Sequence, residues 1–222
     1  MSHTRVKGTL RVTNKTPKSA EMSIYGPIGK DWYGDGVSAA SFAKELKAIG
    51  NVGTINLRIN SEGGVVTEAR AMYNQLIQHS ATVNIHIDGI AASAASFLAM
   101  AGDHITIAEG AFFMIHNARA VAIGGAEDMR KMADVLELVN ETIRDTYTAR
   151  TGVDYKKVKS WMDAETWFNG NQAVENGFAD EVIKNYERVA ACVDSMPPWF
   201  NTMPEIVRPN RAKVLALMGR SV

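Results

Sequence analysis

The stretch Gly89-Ile90-Ala91-Ala92-Ser93-Ala94-Ala95 sets one hydroxyl group among residues that are too small to cover it. The alternating segment Val83-Asn84-Ile85-His86-Ile87 comes before it and predicts a strand, and the apolar segment Phe97-Leu98-Ala99-Met100 follows it. A serine at such a strand-to-helix junction lies at a helix N-terminus, where free N–H groups favour negative charge. The pattern therefore makes Ser93 a candidate nucleophile, and close packing of small residues before a helix is the competing interpretation.

A glycine pair interrupts the preceding strand-to-helix transition. Alternating Ile55, Leu57 and Ile59 predict a strand, Gly63-Gly64 ends it, and apolar residues from Val65 onward recur at helical spacing. Two glycines between strand and helix let the backbone approach a ligand closely and turn its N–H groups inward. Such N–H groups could form an oxyanion hole, and a tight turn without a ligand is the alternative.

A histidine ends the apolar run Phe112-Phe113-Met114-Ile115-His116. This position puts an imidazole at a strand end, where buried chain meets exposed chain. An imidazole has a pKa suited to base chemistry, so His116 is a candidate general base. Among the five histidines of the chain, His104 is its main competitor, because it opens a short predicted strand.

Four motifs, in this order, resemble the proteolytic subunit of the Clp protease and more closely its phage and prophage relatives, the head maturation proteases. The motifs are Ile59-Asn60-Ser61-Glu62-Gly63-Gly64, Gly89-Ile90-Ala91-Ala92-Ser93, Met114-Ile115-His116 and Glu165-Thr166-Trp167-Phe168, the last followed by Ala173-Val174-Glu175-Asn176-Gly177 and Ala179-Asp180. The resemblance extends from about Ile24 to about Ile183.

The resemblance implies a role for each candidate residue. Ser93 matches the family's nucleophile, and His116 matches its general base. Glu165 takes the position of the third, carboxylate member of the triad, with Asp163 as the fallback. The main Clp subunits usually have aspartate at this third position, so the match there is the loosest. The oxyanion donors correspond to the backbone N–H groups of Gly64 and Ala94.

Alternating strands and helices predict an α/β fold. The resemblance sharpens this expectation to stacked ββα units, the fold shared with crotonases. Strands are expected near 22–26, 54–60, 82–88, 104–108, 111–115 and 180–184, and helices near 37–49, 65–79, 93–102, 127–150, 154–162 and 171–176.

The long helix predicted near 127–150 carries one apolar stripe, which consists of Met129, Met132, Leu136, Val139, Ile143 and Tyr147. The resemblance implies that this helix is a projecting handle that pairs two rings face to face. We therefore expect a homo-oligomer of stacked, seven-membered rings that encloses the active sites. The alternative is that the stripe packs on its own domain.

Charge and composition divide the chain into three parts. Residues 1–20 form a basic N-terminal tail without any acid, residues 21–185 the peptidase domain, and residues 186–222 a proline-interrupted C-terminal arm. The net charge is zero, and no base-reading motif indicates a nucleic-acid partner. No apolar stretch approaches the ~20 residues that span a bilayer, so no membrane association is expected.

A cytoplasmic location is expected, because the chain begins without the apolar core of a signal peptide. Its only cysteine, Cys192, excludes an intramolecular disulfide and a cysteine-based zinc cluster. We expect no metal and no cofactor.

The sequence thus predicts a serine endopeptidase of the phage type, with assembling capsid or scaffold protein as its substrate and no identifiable loops for an ATPase unfoldase. Three alternatives remain open. One is a crotonase-like acyl-CoA enzyme, and another is an inactive scaffold ring. The third is a serine–lysine dyad in which a lysine such as Lys131 serves as the base.

Overall fold

The computed structural model describes residues 6–13, 15–30 and 34–183, which form ten strands and six helices. The strands are β1 Val6–Lys7, β2 Thr9–Thr13, β3 Ser19–Tyr25, β4 Gly34–Asp35, β5 Thr54–Ser61, β6 Thr82–Ala92, β7 His104–Ala108, β8 Phe112–Ile115, β9 Thr166–Asn169 and β10 Glu181–Ile183. The helices are α1 Ala39–Ile49, α2 Val66–Ile77, α3 Ala94–Ala99, α4 Ala126–Thr151, α5 Tyr155–Asp163 and α6 Gly170–Glu175.

The main sheet has eight strands. Six of them follow the order β10-β7-β6-β5-β3-β2, and these pair in parallel except for β2 and β3 at one edge. Along β3, β5 and β6 alternate residues are buried, and this pattern gives the sheet one face that belongs to the core. The apolar faces of α1, α2 and α3 belong to the same core cluster. The expected α/β fold is therefore confirmed.

Strand β6 is longer than its neighbours and pairs with two strands in succession on the same side. Its first part, Asn84 to Ile87, pairs with β7, and its last part, Ile90 to Ala92, pairs with β8. Strand β8 in turn pairs antiparallel with β9. This switch of partner brings the ends of β6 and β8 and the start of β9 to one place.

The prediction that residues 1–20 form a tail is wrong for Thr9–Thr13. These residues form β2 and pair antiparallel with β3, from Thr9 opposite Tyr25 to Thr13 opposite Glu21. Basic Arg11 alternates with half-buried Leu10 and Val12, which pack against the core. The short alternation was hidden by the positive charges around it. The predicted C-terminal arm, 186–222, and Cys192 lie outside the described residues.

Helix α4 divides into an exposed half and a packed half. Ile143 and Tyr147 are buried, whereas Val135 is 53% exposed and Leu138 is 63% exposed. Of the predicted stripe, Met132, Leu136 and Val139 are only half-buried. The N-terminal half of α4 therefore presents apolar side chains that the rest of the described chain does not cover. Within the described residues, the helices are too short or too polar to cross a membrane.

Candidate active site

Ser93 is the single residue between the end of β6 and the start of α3. Its backbone has a conformation that is rare for residues other than glycine. Its φ is 54° and its ψ is −123°. The Ser93 N–H donates to the carbonyl oxygen of Met114 at 3.0 Å, and the Ser93 carbonyl accepts from the N–H groups of Ser96 and Phe97. Because the backbone is held on both sides, the hydroxyl is directed away from the helix instead of capping it.

His116 follows β8 and faces the Ser93 hydroxyl. Since Ala92 lies opposite Met114 in the β6–β8 pair, the two residues that follow these strands come together. The Nε2 atom of His116 lies 2.7 Å from the Oγ atom of Ser93. The competing histidine, His104, lies at the start of β7 beside Asp180, with 3.5 Å between its Nδ1 atom and the carboxylate.

Burial determines the charge of this imidazole. The His116 side chain is 8% exposed, and its burial, aided by the positive charge of Arg119, lowers the pKa of His116 to about 4, against an opposing effect of Glu165. The imidazole is therefore neutral at pH 7. A neutral imidazole in contact with a hydroxyl is the form that can accept the hydroxyl proton.

The Gly63-Gly64 turn is pressed against Ser93. Gly63 has a φ of 101°, and a Cβ atom built on it would lie 2.8 Å from the Cβ of Ser93 and 2.6 Å from the carbonyl oxygen of Ala92. Gly64 has a φ of 140°, and its Cβ would collide with the carbonyl oxygen of Ile28. Only glycine fits these two positions, so the turn can approach Ser93 as closely as backbone allows.

Two backbone N–H groups beside Ser93 are left out of the local hydrogen-bond pattern. The bridge between Ile28 and the glycine turn uses the carbonyl of Gly63 and the N–H of Val65, and it does not use the N–H of Gly64. Ala94 is the first residue of α3, so its N–H has no acceptor within the helix. Both groups are therefore available to an oxyanion that forms next to Ser93.

Glu165 reaches His116 from the other side. In the β8–β9 pair Thr166 lies opposite Ile115, so Glu165 lies opposite His116. The Glu165 side chain is 6% exposed, and its Oε2 atom is 3.7 Å from the Nδ1 atom of His116. The guanidinium of Arg119 contacts the same Oε2 atom.

Asp163, the fallback for the third position, faces other partners. Its Oδ1 atom accepts a hydrogen bond from Asn117 at 2.8 Å, and its Oδ2 atom pairs with Lys159 at 2.7 Å. These contacts hold the pKa of Asp163 below its ordinary value. The structure thus brings Glu165 and not Asp163 against the imidazole.

An apolar cleft opens beside the reactive pair. Besides Ser93 and His116, it is lined by Val66, Ala94, Phe97, Ala118, Ile143 and Tyr147. The buried Tyr147 hydroxyl shares a hydrogen bond of 2.8 Å with Ser96, which in turn donates to the Ser93 carbonyl. The cleft has a volume of only about 10 Å³, so it is filled by its own side chains and offers an apolar surface beside Ser93.

The lysine of the serine–lysine alternative does not lie in the site described above. Lys131, the base of the serine–lysine alternative, lies on the exposed half of α4, whereas the Ser93 hydroxyl is bound to His116. Within residues 6–13, 15–30 and 34–183, histidine, cysteine, aspartate and glutamate do not gather in threes that could hold a metal ion.

Among the described residues, Arg119 belongs to the site and was missed by sequence reasoning. It lies three positions after His116 in an exposed loop, and nothing in its neighbours marks it. A buried carboxylate needs a cationic partner, and this requirement is the signal that could have prompted a search for one. Which cation supplies the charge depends on the path of the loop, which no local pattern specifies.

The fold and the paired Ser93 and His116 side chains define an α/β protein with a serine–histidine site at a strand end. The family model of the Clp protease matches residues 8–186, which is most of the 222-residue chain. The chain therefore belongs to the Clp protease family, a family of serine-type peptidases. The matched range includes β2, which the sequence analysis assigned to the N-terminal tail.

The glycine turn can be tested with Gly63→Ala. The added methyl group meets backbone atoms of Ala92 and Ala94, so the turn must move away from Ser93. We expect the rate of fluorophosphonate labelling at Ser93 to fall by roughly 10²-fold or more, the cost of losing one oxyanion donor. Gly152→Ala is the matched control, since Gly152 also has a positive φ but has open space around it. Equal labelling rates in the two variants would contradict this account of the turn.

Proposed function

We propose that the protein is a serine endopeptidase in which Ser93 is the nucleophile, His116 the general base and Glu165 the carboxylate of the triad. The observation that carries the proposal is the 2.7 Å contact between Nε2 of His116 and Oγ of Ser93, within a chain of the Clp protease family. A serine hydroxyl is a poor nucleophile at neutral pH. A neutral imidazole at this distance activates the hydroxyl by accepting its proton.

In the acylation step, the Ser93 oxygen attacks the carbonyl carbon of the scissile peptide bond while Nε2 of His116 takes its proton. The N–H groups of Gly64 and Ala94 bind the negative oxygen of the tetrahedral intermediate. The intermediate collapses, the C–N bond breaks, and His116 returns the proton to the leaving amine. A water molecule then attacks the acyl group with His116 as base, which releases the acid and restores Ser93.

The carboxylate acts through His116 and does not touch the substrate. When His116 is protonated, the negative charge of Glu165 stabilises the imidazolium, and the carboxylate fixes the orientation of the ring. The burial of Glu165 strengthens this interaction, because water screens it little.

The substrate is a polypeptide whose scissile bond lies next to Ser93, beside the apolar surface formed by Val66, Phe97 and Ile143. The members of the Clp protease family typically form oligomeric rings, and we propose stacked seven-membered rings for this chain. The exposed apolar side chains of α4, such as Val135 and Leu138, support the proposal, because a second ring would cover them. Enclosure would limit cleavage to chains that enter the particle.

The motif resemblance to head maturation proteases supports a more specific role. We propose processing of capsid or scaffold protein in the cytoplasm of a bacterial or phage-infected cell. The resemblance to head maturation proteases implies no ATPase partner for this role.

Labelling of Ser93 with a fluorophosphonate tests the serine–histidine pair. We expect one label per chain on Ser93 in the wild type, none in Ser93→Ala, and a loss of roughly 10²–10⁴-fold in His116→Ala, since a general base contributes about that much. His104→Ala, which removes the competing histidine, keeps the wild-type rate. A wild type that assembles but does not label contradicts the proposal and favours an inactive scaffold. Acyl-CoA chemistry that survives Ser93→Ala favours a crotonase-like enzyme.

The identity of the carboxylate is tested by two isosteric amides, Glu165→Gln and Asp163→Asn. Glu165→Gln removes the charge that stabilises the imidazolium, so kcat/KM for a peptide should fall by roughly 10²–10⁴-fold. Asp163→Asn removes only contacts with Asn117 and Lys159, so its kcat/KM should stay near the wild-type value. The reverse ranking would assign the third position to Asp163.

A further inference from the structure

Two of the described residues compete for one oxygen atom of the site. Oε2 of Glu165 contacts the guanidinium of Arg119, and the same atom is 3.7 Å from Nδ1 of His116. A hydrogen bond between a nitrogen and an oxygen spans about 2.7–3.2 Å, so the separation from His116 is too long for one. In this conformation the carboxylate is therefore closer to Arg119 than to the imidazole.

The physical cause is the burial of Glu165. A carboxylate that is 6% exposed needs a positive charge or several donors, and a neutral imidazole does not supply a positive charge. The Glu165 backbone is fixed as well, with a φ of 50° at the junction of α5 and β9. Arg119 comes from the exposed loop 117–125 and is itself 46% exposed, so the guanidinium can leave the contact for water at a lower cost than the buried carboxylate can.

We propose that Arg119 is a positioning residue of the peptidase, which binds Oε2 of Glu165 and so keeps the contact between Glu165 and His116 open. This inference rests on the proposed function. Release of Oε2 lets the carboxylate close on Nδ1, and closure strengthens His116 as a base. The triad is then complete only when Arg119 has moved away.

The loop that carries Arg119 connects the site to the surface proposed for ring assembly. Loop 117–125 leads from β8 directly into α4, whose exposed half is the proposed ring-to-ring contact. Ala118 of the same loop lines the apolar cleft. A shift of the loop, whether through the second ring or through substrate beside the cleft, moves Arg119 relative to the fixed Glu165.

The loss of Arg119 changes the pKa of His116 in a direction that follows from the charges around it. The charge of Arg119 opposes protonation of His116, and a closed contact with Glu165 favours it. Removing the guanidinium therefore raises the pKa of His116 from its low value. Because the neutral imidazole is the active form, the acid limb of the pH–rate profile moves to higher pH.

The test is Arg119→Gln, with Lys159→Gln as the control. Lys159 is a cation of the same 46% exposure that pairs with Asp163 and not with Glu165. In Arg119→Gln we expect the rate of Ser93 acylation at neutral pH to rise several-fold and its acid limb to move to higher pH, with neither change in Lys159→Gln. A rate at or below wild type, or an unmoved acid limb, overturns the proposal.

A second variant and a second readout keep the test decisive. Arg119→Met, which also lacks the charge but keeps an apolar stem, carries the same expectations if Arg119→Gln does not fold. The titration of His116, followed by NMR of histidine-labelled protein with His116→Ala for assignment, needs no activity. If the wild type is not acylated but the titration moves to higher pH in Arg119→Gln, the proposed function fails, and only the electrostatic coupling between Arg119 and His116 is supported. If the wild type is acylated and the titration does not move, only the inference fails.

Discussion

The change of partner along β6 is the constraint on which the site depends. The first part of this strand is held by β7, and its last three residues are held by β8. Had β7 continued alongside β6, His116 could not follow a strand that ends level with Ser93. On the other side of β6, the register of the β5–β6 pair shifts between Ile59 and Ser61. This shift brings the glycine turn next to Ser93. The reactive geometry is thus a property of strand register more than of any side chain.

The second constraint is electrostatic. The site buries an imidazole and a carboxylate side by side, and burial disfavours the charged form of both. The imidazole responds by remaining neutral, and the carboxylate is compensated by Arg119. When the imidazole is protonated it becomes a second cation beside Glu165, and it then competes with Arg119 for the same carboxylate oxygen. The competition between Arg119 and His116 for one oxygen atom follows directly from the burial of Glu165.

Much of the fold could be predicted from the sequence, because the central strands and the helices carry clear periodicity. The strands β5, β6 and β7 and the helices α1, α2 and α4 lie within a few residues of their predicted positions. Strand β9 was missed since Thr166–Asn169 is too short to show alternation, and β2 was missed because basic residues flank it. Ser93, His116 and the glycine turn were found because their motifs are local. The resemblance already ranked Glu165 ahead of Asp163. Arg119 and the distance from Glu165 to His116 depend on tertiary pairing, which local patterns do not contain.

The central claim is that Ser93 forms a covalent acyl intermediate, and trapping that intermediate tests it most directly. A peptide ester is mixed with the assembled protein, quenched with acid at successive times, and the intact mass and the modified residue are determined by mass spectrometry. The account predicts an acyl group on Ser93 that accumulates within the first turnover and disappears as product forms, since ester acylation is faster than deacylation in serine peptidases that work this way. Hydrolysis of the ester without any acyl group on Ser93, or with the acyl group on another residue, would contradict it.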